Sequence, residues 1–180
     1  MTKYISIFFL VISFTCSAEP SIRPDTWGKP VTGTNLKNLY LIDKGIYRSA
    51  RPDYKSTSDL VSLGIKEILN LRELHGSKID INSTDIVLHR IKVNTGKMTE
   101  DQATDALKII SNRKGPILIH CWHGSDRTGV VIAAYRIVFN NWSKSQAIDE
   151  MVNGGYGYHA RTYPELVTRV EQLDISKIKQ

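Results

Sequence analysis

Short hydrophobic runs along the chain alternate with longer segments that have helical periodicity. Segment 39–49 alternates between apolar and polar residues around a turn at Asp43–Gly45, which predicts two short strands. Further apolar runs predict strands at 65–72, 86–93 and 117–120. The last of these, ILIH, is apolar up to its final histidine, as is typical of a strand in the centre of a sheet.

Helices are predicted between and after these strands. Thr99, with Gln102 three residues later, forms a capping-box pattern that opens one of them. The predicted helices cover 56–63, 99–112, 128–140, 143–152 and a last amphipathic segment that begins at Pro164. Strands that alternate with helices predict a single α/β domain with a central, mainly parallel sheet flanked by helices.

The first 18 residues have the pattern of a signal peptide. Lys3 precedes a mostly apolar run of 11 residues at 4–14, and Ala18 is a small residue suited to cleavage. A bilayer span needs roughly 20 apolar residues. We therefore expect residues 1–18 to be removed, the protein to be exported to the periplasm or secreted, and no stable membrane span to remain. An uncleaved anchor is the alternative.

The mature chain is then predicted to begin with an extended lead-in at 19–38, which is followed by one domain at 39–180. Its length and its 41% hydrophobic content suffice for an ordinary globular core. Removing residues 1–18 lowers the formal net charge from +6 to +5, because Lys3 is the only charged residue in that segment. The basic residues are scattered and form no aromatic-basic stripe, so we expect an anionic substrate and no nucleic acid.

Cysteine usage narrows the chemistry further. The chain has two cysteines, Cys16 and Cys121, and the first lies in the predicted signal peptide. A mature chain with Cys121 alone has no internal disulfide and no four-cysteine metal site. Since no His or carboxylate cluster has metal-ligand spacing either, we expect no metal and no cofactor.

Cys121 lies in the stretch HCWHGSDRTG at 120–129, between the predicted strand 117–120 and the helix that follows. A loop that joins a strand to a helix N-terminus binds anions through its backbone N–H groups and the partial positive charge of the helix. The same positive electrostatic potential stabilises a cysteine thiolate. Arg127 ends the loop and is suited to hold two phosphate oxygens, while Gly124 allows a tight turn. These parts predict that Cys121 attacks a phosphoryl group and that water hydrolyses the cysteinyl-phosphate.

Other residues of the stretch have expected supporting roles. Thr128 is placed to donate a hydrogen bond to the sulfur when it leaves in the second step. The substrate-binding residues are expected to be Trp122, His123, Gly124, Ser125, Asp126 and Arg127. Arg48 and Arg72 are candidates to brace the active-site loops, although surface salt bridges would explain them equally well.

The loop resembles the phosphate-binding loop of the cysteine-based protein tyrosine phosphatases: His-Cys, five residues, Arg, Thr-Gly. IYRSARP at 46–52, ILNLRE at 68–73 and the GGYGYH segment resemble the compact dual-specificity subgroup, especially its small exported bacterial members. The resemblance implies a tyrosine-phosphatase-like fold, with a Cys-x5-Arg loop between strand and helix and a shallow cleft. It also implies that His120 shapes the environment of the thiolate.

The chain departs from this family where the general acid is expected. The family places an Asp some 20 to 40 residues before the Cys, but the corresponding loop, 93–101, has Asn94 and Gly96 there. Asp101 comes slightly late, at the start of a helix, where an acidic residue also serves the helix dipole. Asp126, beside Arg127, resembles the proposed acid of the myotubularin-type phosphoinositide phosphatases. The sequence leaves Asp126 and Asp101 as alternatives.

Three functions follow from these features. The first is a metal-independent phosphomonoester hydrolase, namely a protein phosphatase with tyrosine specificity or dual specificity. The second is a phosphatase for inositol phosphates or phosphoinositides, favoured by the positive charge of the chain. The third is a catalytically weak phosphate-binding pseudophosphatase, which only the missing acid supports.

Overall fold

The computed structural model of the chain describes residues 23–74, 79 and 84–178. The predicted signal peptide and most of the loop expected at 74–85 lie outside these residues. The strands are β1 (Lys29–Pro30), β2 (Tyr40–Asp43), β3 (Ile46–Ser49), β4 (Glu67–Arg72), β5 (Val87–Val93) and β6 (Ile117–His120). The helices are α1 (Thr57–Ser62), α2 (Glu100–Asn112), α3 (Asp126–Phe139), α4 (Lys144–Asn153), α5 (Glu165–Glu171) and α6 (Ile175–Ile178).

These strands form one mixed, mostly parallel sheet in the order β1-β2-β3-β6-β4-β5. The β1–β2 and β2–β3 pairs are antiparallel, while β6 pairs in parallel with β3 on one side and β4 on the other, and β4 with β5. The wholly buried β6 is therefore flanked on both sides, as its apolar sequence predicts. The α/β fold expected from the sequence is confirmed.

Alternate residues of β6 face two separate hydrophobic layers. Ile117 and Ile119 belong to the larger cluster, which includes the apolar face of α2 and most of α3. Leu118 belongs to a smaller cluster on the opposite side of the sheet, with Leu60 of α1. The long apolar run of α3 is explained by its position, because it packs against β6 and four other helices.

Local signals in the sequence placed most elements well. The capping boxes at Thr99–Gln102 and Ser143–Gln146 are both formed and open α2 and α4. Two starts differ by two residues from the prediction: β4 begins at Glu67 instead of 65, and α3 begins at Asp126 instead of 128. The end of the phosphate-binding motif therefore forms the first helical turn. Within the part of the chain that the structure describes, no helix is long and apolar enough to cross a membrane.

The lead-in is attached to the domain by a buried ionic network. Glu150 of α4 accepts two hydrogen bonds from Arg136 of α3, at 2.8 and 3.0 Å, and one from the Gly28 backbone N–H at 2.7 Å. Burial alone raises the pKa of Glu150, but the hydrogen bonds and charge of Arg136 outweigh it and the pKa lies below its ordinary value of 4.5. Its contribution to stability is therefore complete above about pH 4.5 and is lost as the pH falls through the lowered pKa.

Glu150→Ala is expected to destabilise the domain by about 3–5 kcal/mol, because it leaves the Arg136 charge buried without its partner. Asp149→Ala changes the neighbouring exposed residue of α4 and is the matched control, with an expected change within about 0.5 kcal/mol. Urea unfolding at pH 7 measures both. Equal destabilisation by the two substitutions would contradict the stabilising role of the Arg136–Glu150 pair.

Candidate active site

The loop that connects β6 to α3 is held close to the end of β3. Gly124 has a φ of +76°, a left-handed conformation that favours glycine. A Cβ at this position would lie 2.4 Å from the Ser49 carbonyl oxygen and 2.7 Å from the Ala50 nitrogen. The Arg51 backbone N–H also donates to the Trp122 carbonyl at 3.0 Å. The loop conformation thus requires glycine for two independent reasons.

Arg48 supports the loop from inside the protein. Its side chain is fully buried, and Nη2 donates to the Gly124 carbonyl at 2.6 Å. The guanidinium carbon lies 3.7 Å from the centroid of the Tyr156 ring. Burial lowers the pKa of this guanidinium, while Tyr156, Glu150 and Cys121 partly offset the effect. Among the described residues Arg48 Nε and Nη1 have no hydrogen-bond partner, so the Gly124 carbonyl and the face of the Tyr156 ring offset only part of the cost of burying this charge.

The other side of the loop is tied to the segment after α4. The Ser125 hydroxyl donates to the Tyr156 carbonyl at 2.7 Å. Both the backbone N–H and the ring Nδ1 of His159 bond to the Asp126 carboxylate, at 3.0 and 2.9 Å. Asn38, in the lead-in, donates to the carbonyls of His123 and Tyr156. Loop 121–127 is therefore held by three separate parts of the chain.

His120 lies directly before the nucleophile and is completely buried. Its Nδ1 is 3.0 Å from the Cys121 carbonyl oxygen. Burial, together with the charges of Arg72, Arg51 and Arg127, lowers the pKa of His120 to about 4, although the bond to the Cys121 carbonyl opposes this. The ring is therefore neutral at pH 7 and adds no positive charge beside the thiol.

Arg127 and Thr128, which are expected to bind phosphate and sulfur, are a half-buried and a fully buried donor. Arg127 Nη1 donates to the Val93 carbonyl at 3.2 Å and weakly to that of Leu71, which places its guanidinium across the ends of β4 and β5. Arg127 Nε and the Thr128 hydroxyl are buried, and neither has a hydrogen-bond partner in the described part of the chain. The bond from Thr128 to sulfur predicted from the sequence is thus not made in this structure.

A cavity of about 360 Å³ opens beside the loop. Trp122 and Arg127 contribute to it from the loop, while Cys121 lies at the base of the loop with 1% of its surface exposed. The remaining lining residues come from the ends of β4 and β5 and from the turn before α5. They are Arg72, Glu73, Leu74, Asn94, Thr95, Gly96 and Tyr163. The cavity therefore joins an anion-binding rim to aromatic walls.

Positive charge is concentrated around this cavity. The guanidiniums of Arg51 and Arg72 lie 4.9 and 4.7 Å from the Trp122 ring centroid. Burial and the charges of Arg51, Arg127 and Arg90 lower the pKa of the Arg72 guanidinium, and Cys121 only partly offsets them. The cluster is therefore suited to an anion with more than one charged group.

Other residues singled out from the sequence lie in different places. Asp101 does not line the cavity, and its carboxylate bonds to Lys177 Nζ at 3.1 Å. Asp126 braces the loop through His159, and its side chain is only 9% exposed. His123 is exposed and its ring lies 5.3 Å from that of His159. Glu73 and His159 end the family-like segments ILNLRE and GGYGYH, but neither was assigned a role from the sequence, and nothing in its local pattern marks Asn38.

A family model for the Tyrosine phosphatase family matches residues 35–163. The chain belongs to this family. It is 30% identical over 159 residues to the dual specificity protein phosphatase TpbA of Pseudomonas aeruginosa, covering 87% of this chain and 72% of TpbA. These matches support a cysteine-dependent tyrosine or dual-specificity phosphatase, as the sequence predicts.

A TpbA crystal structure and one further relative are informative about substrates. A TpbA crystal structure, of a cysteine-to-serine variant in complex with phosphotyrosine, has a TM-score of 0.76 and 26% identity; the match covers 88% of this chain and 96% of that one. The inositol diphosphatase DSP3 of Arabidopsis thaliana is 29% identical over 153 residues, which cover 79% of this chain and 73% of DSP3. Relatives whose names point to both kinds of substrate therefore match this chain.

Gly124→Ala is expected to lower kcat/KM by about 100-fold, because a methyl group there displaces the loop from Ser49 and misplaces Arg127. Gly33→Ala is the matched control. Its φ is +77° but nothing lies within 4 Å of the added Cβ, so only the backbone cost of about 1–2 kcal/mol applies. Steady-state kinetics and thermal unfolding of both variants test the close approach, and full activity of Gly124→Ala would refute it.

Proposed function

We propose that this phosphatase removes phosphate from phosphotyrosine in protein substrates of the bacterial envelope. The observation that carries the proposal is the cavity beside Trp122 and Arg127, which combines a cationic rim with aromatic walls. A phosphotyrosine side chain has the matching chemistry, since a dianionic group is carried on an aromatic ring. The phosphotyrosine complex of TpbA, with the same fold, supports this assignment.

In the proposed reaction the Cys121 thiolate attacks phosphorus from the base of the loop. Arg127 and the N-terminal turn of α3 stabilise the charge on the three phosphoryl oxygens. The S–P bond forms as the P–O bond breaks, and water then attacks phosphorus and releases the sulfur. We assign the buried hydroxyl of Thr128 to the sulfur at that second step.

Trp122 and Tyr163 are the aromatic residues that line the cavity. Trp122 is 47% exposed, so a large part of its ring is available to pack against a substrate side chain. Leu74 adds an exposed apolar side chain at the same opening. A phenyl ring held between such groups would be bound more strongly than the short alkyl chain of phosphoserine.

An inositol phosphate is the second candidate substrate. Arg72 and Arg127 line the cavity, and the charges of Arg51 and Arg90 act on Arg72. This concentration of positive charge favours a ligand with several phosphate groups. The relationship to the inositol diphosphatase DSP3 supports the same candidate.

Export is the remaining part of the proposal. It rests on the signal-peptide pattern of residues 1–18, with cleavage after Ala18. N-terminal sequencing of the protein recovered from the periplasm or medium of an expressing bacterium would test it. A mature chain that begins at Glu19 is expected, whereas an intact Met1 in the membrane fraction would indicate an anchor.

Cys121→Ser is expected to abolish phosphate release from a phosphotyrosine peptide while leaving vanadate binding largely intact. Purified residues 19–180 would be assayed with EDTA and a reductant against phosphotyrosine, phosphoserine and inositol hexakisphosphate substrates. A higher kcat/KM for phosphotyrosine supports the main proposal. Release that persists in Cys121→Ser would overturn it, and vanadate binding without release by the unchanged chain would indicate a pseudophosphatase.

Arg72→Gln is expected to separate the two substrate classes. Loss of one charge-assisted hydrogen bond, worth about 1.5–3 kcal/mol, corresponds to roughly 10- to 100-fold in kcat/KM. If inositol polyphosphates are the substrates, Arg72→Gln should lower kcat/KM by this factor for inositol polyphosphates but leave kcat/KM for a phosphotyrosine peptide unchanged. Lys108→Gln removes one exposed charge on α2 and is the control. Equal effects on both substrate classes would argue against a polyanion subsite at Arg72.

A further inference from the structure

The leaving oxygen needs a proton, and no residue has yet been assigned as the proton donor. When the Cys121 sulfur attacks phosphorus, the electron pair of the P–O bond passes to the leaving oxygen, and a phenoxide or alkoxide is then protonated. Neither Asp126 nor Asp101 lines the cavity. The Asp126 carboxylate is held by His159, and that of Asp101 by Lys177.

Glu73 is the only carboxylic acid among the described residues that line the cavity. It directly follows β4, two residues after Leu71, whose carbonyl accepts a hydrogen bond from Arg127. The end of β4 therefore brings this carboxylic acid to the same opening as the phosphate-binding guanidinium. Its side chain is exposed, as access to a substrate requires.

Two hydrogen bonds hold Glu73 in place. Asn94 Nδ2 donates to Glu73 Oε2 at 3.1 Å, and Arg90 Nη2 donates to the Glu73 backbone carbonyl at 2.8 Å. Asn94 lies in loop 93–101, where the family resemblance leads us to expect an acid. The bond from Asn94 engages Oε2 and fixes the orientation of the carboxyl group at the edge of the cavity.

We propose that Glu73 is the general acid of this phosphatase and that Asn94 is a positioning residue for it. In the first step the S–P bond forms, the P–O bond breaks, and the Glu73 proton passes to the leaving oxygen. In the second step the Glu73 carboxylate takes a proton from the water that attacks phosphorus, and the S–P electron pair returns to sulfur. The inference rests on the proposed function and adds its missing group.

The test compares leaving groups. Glu73→Gln is expected to lower kcat/KM for phenyl phosphate by about 100-fold or more, since a phenoxide needs the proton. The same variant should leave kcat/KM for 2,4-dinitrophenyl phosphate nearly unchanged, because kcat/KM reports formation of the cysteinyl-phosphate and that leaving group departs without protonation. Glu73→Asp should restore part of the loss, and Asn94→Ala should show a smaller loss in the same direction.

Asp126→Asn, Asp101→Asn and Tyr163→Phe are the comparison variants, and vanadate binding and thermal unfolding verify that each is folded. An equal loss of kcat/KM for both substrates in Glu73→Gln would overturn the inference. A leaving-group-dependent loss in Asp126→Asn, Asp101→Asn or Tyr163→Phe instead would also do so. Absence of Cys121-dependent release by the unchanged chain is a different result, because it overturns the proposed function as well.

Discussion

The buried guanidinium of Arg48 is the interaction on which the phosphate-binding loop depends. It has no carboxylate partner among the described residues and donates to the Gly124 carbonyl under the loop, while its plane lies against Tyr156. A buried cation in this position is stable only if the Gly124 carbonyl and the Tyr156 ring keep their positions around it. The loop, the end of β3 and the segment after α4 therefore form one unit.

That unit extends to the lead-in through Tyr156. The Tyr156 hydroxyl donates to Glu150 at 2.8 Å and accepts from Arg23 at the same distance. Glu150 in turn pairs with Arg136 of α3. A residue just inside the predicted mature N-terminus is thus connected, by contacts of ordinary length, to the helix that presents Arg127. Residues 23–28 are part of the supporting structure of the site.

Local signals were sufficient for most of the fold. Capping boxes, alternation and apolar runs act over three to eight residues, so α2, α4 and β6 were predicted closely. The start of α3 was misplaced because Asp126 and Arg127 are polar and lack the apolar pattern by which a helix is recognised. The two-residue strand β1 was missed because only its pairing with β2 makes it a strand. A local pattern carries no information about such a partner.

The nucleophile and its phosphate-binding arginine could be identified from the chain alone, because Cys121 and Arg127 lie in one short loop between a strand and a helix. The supporting groups could not. Arg48 is 76 residues from the carbonyl it supports, and Asn94 is 21 residues from the Glu73 carboxylate it orients. The order of strands in the sheet brings these groups together. Only the tertiary structure could therefore show that Glu73 lines the cavity and that Asp101 does not.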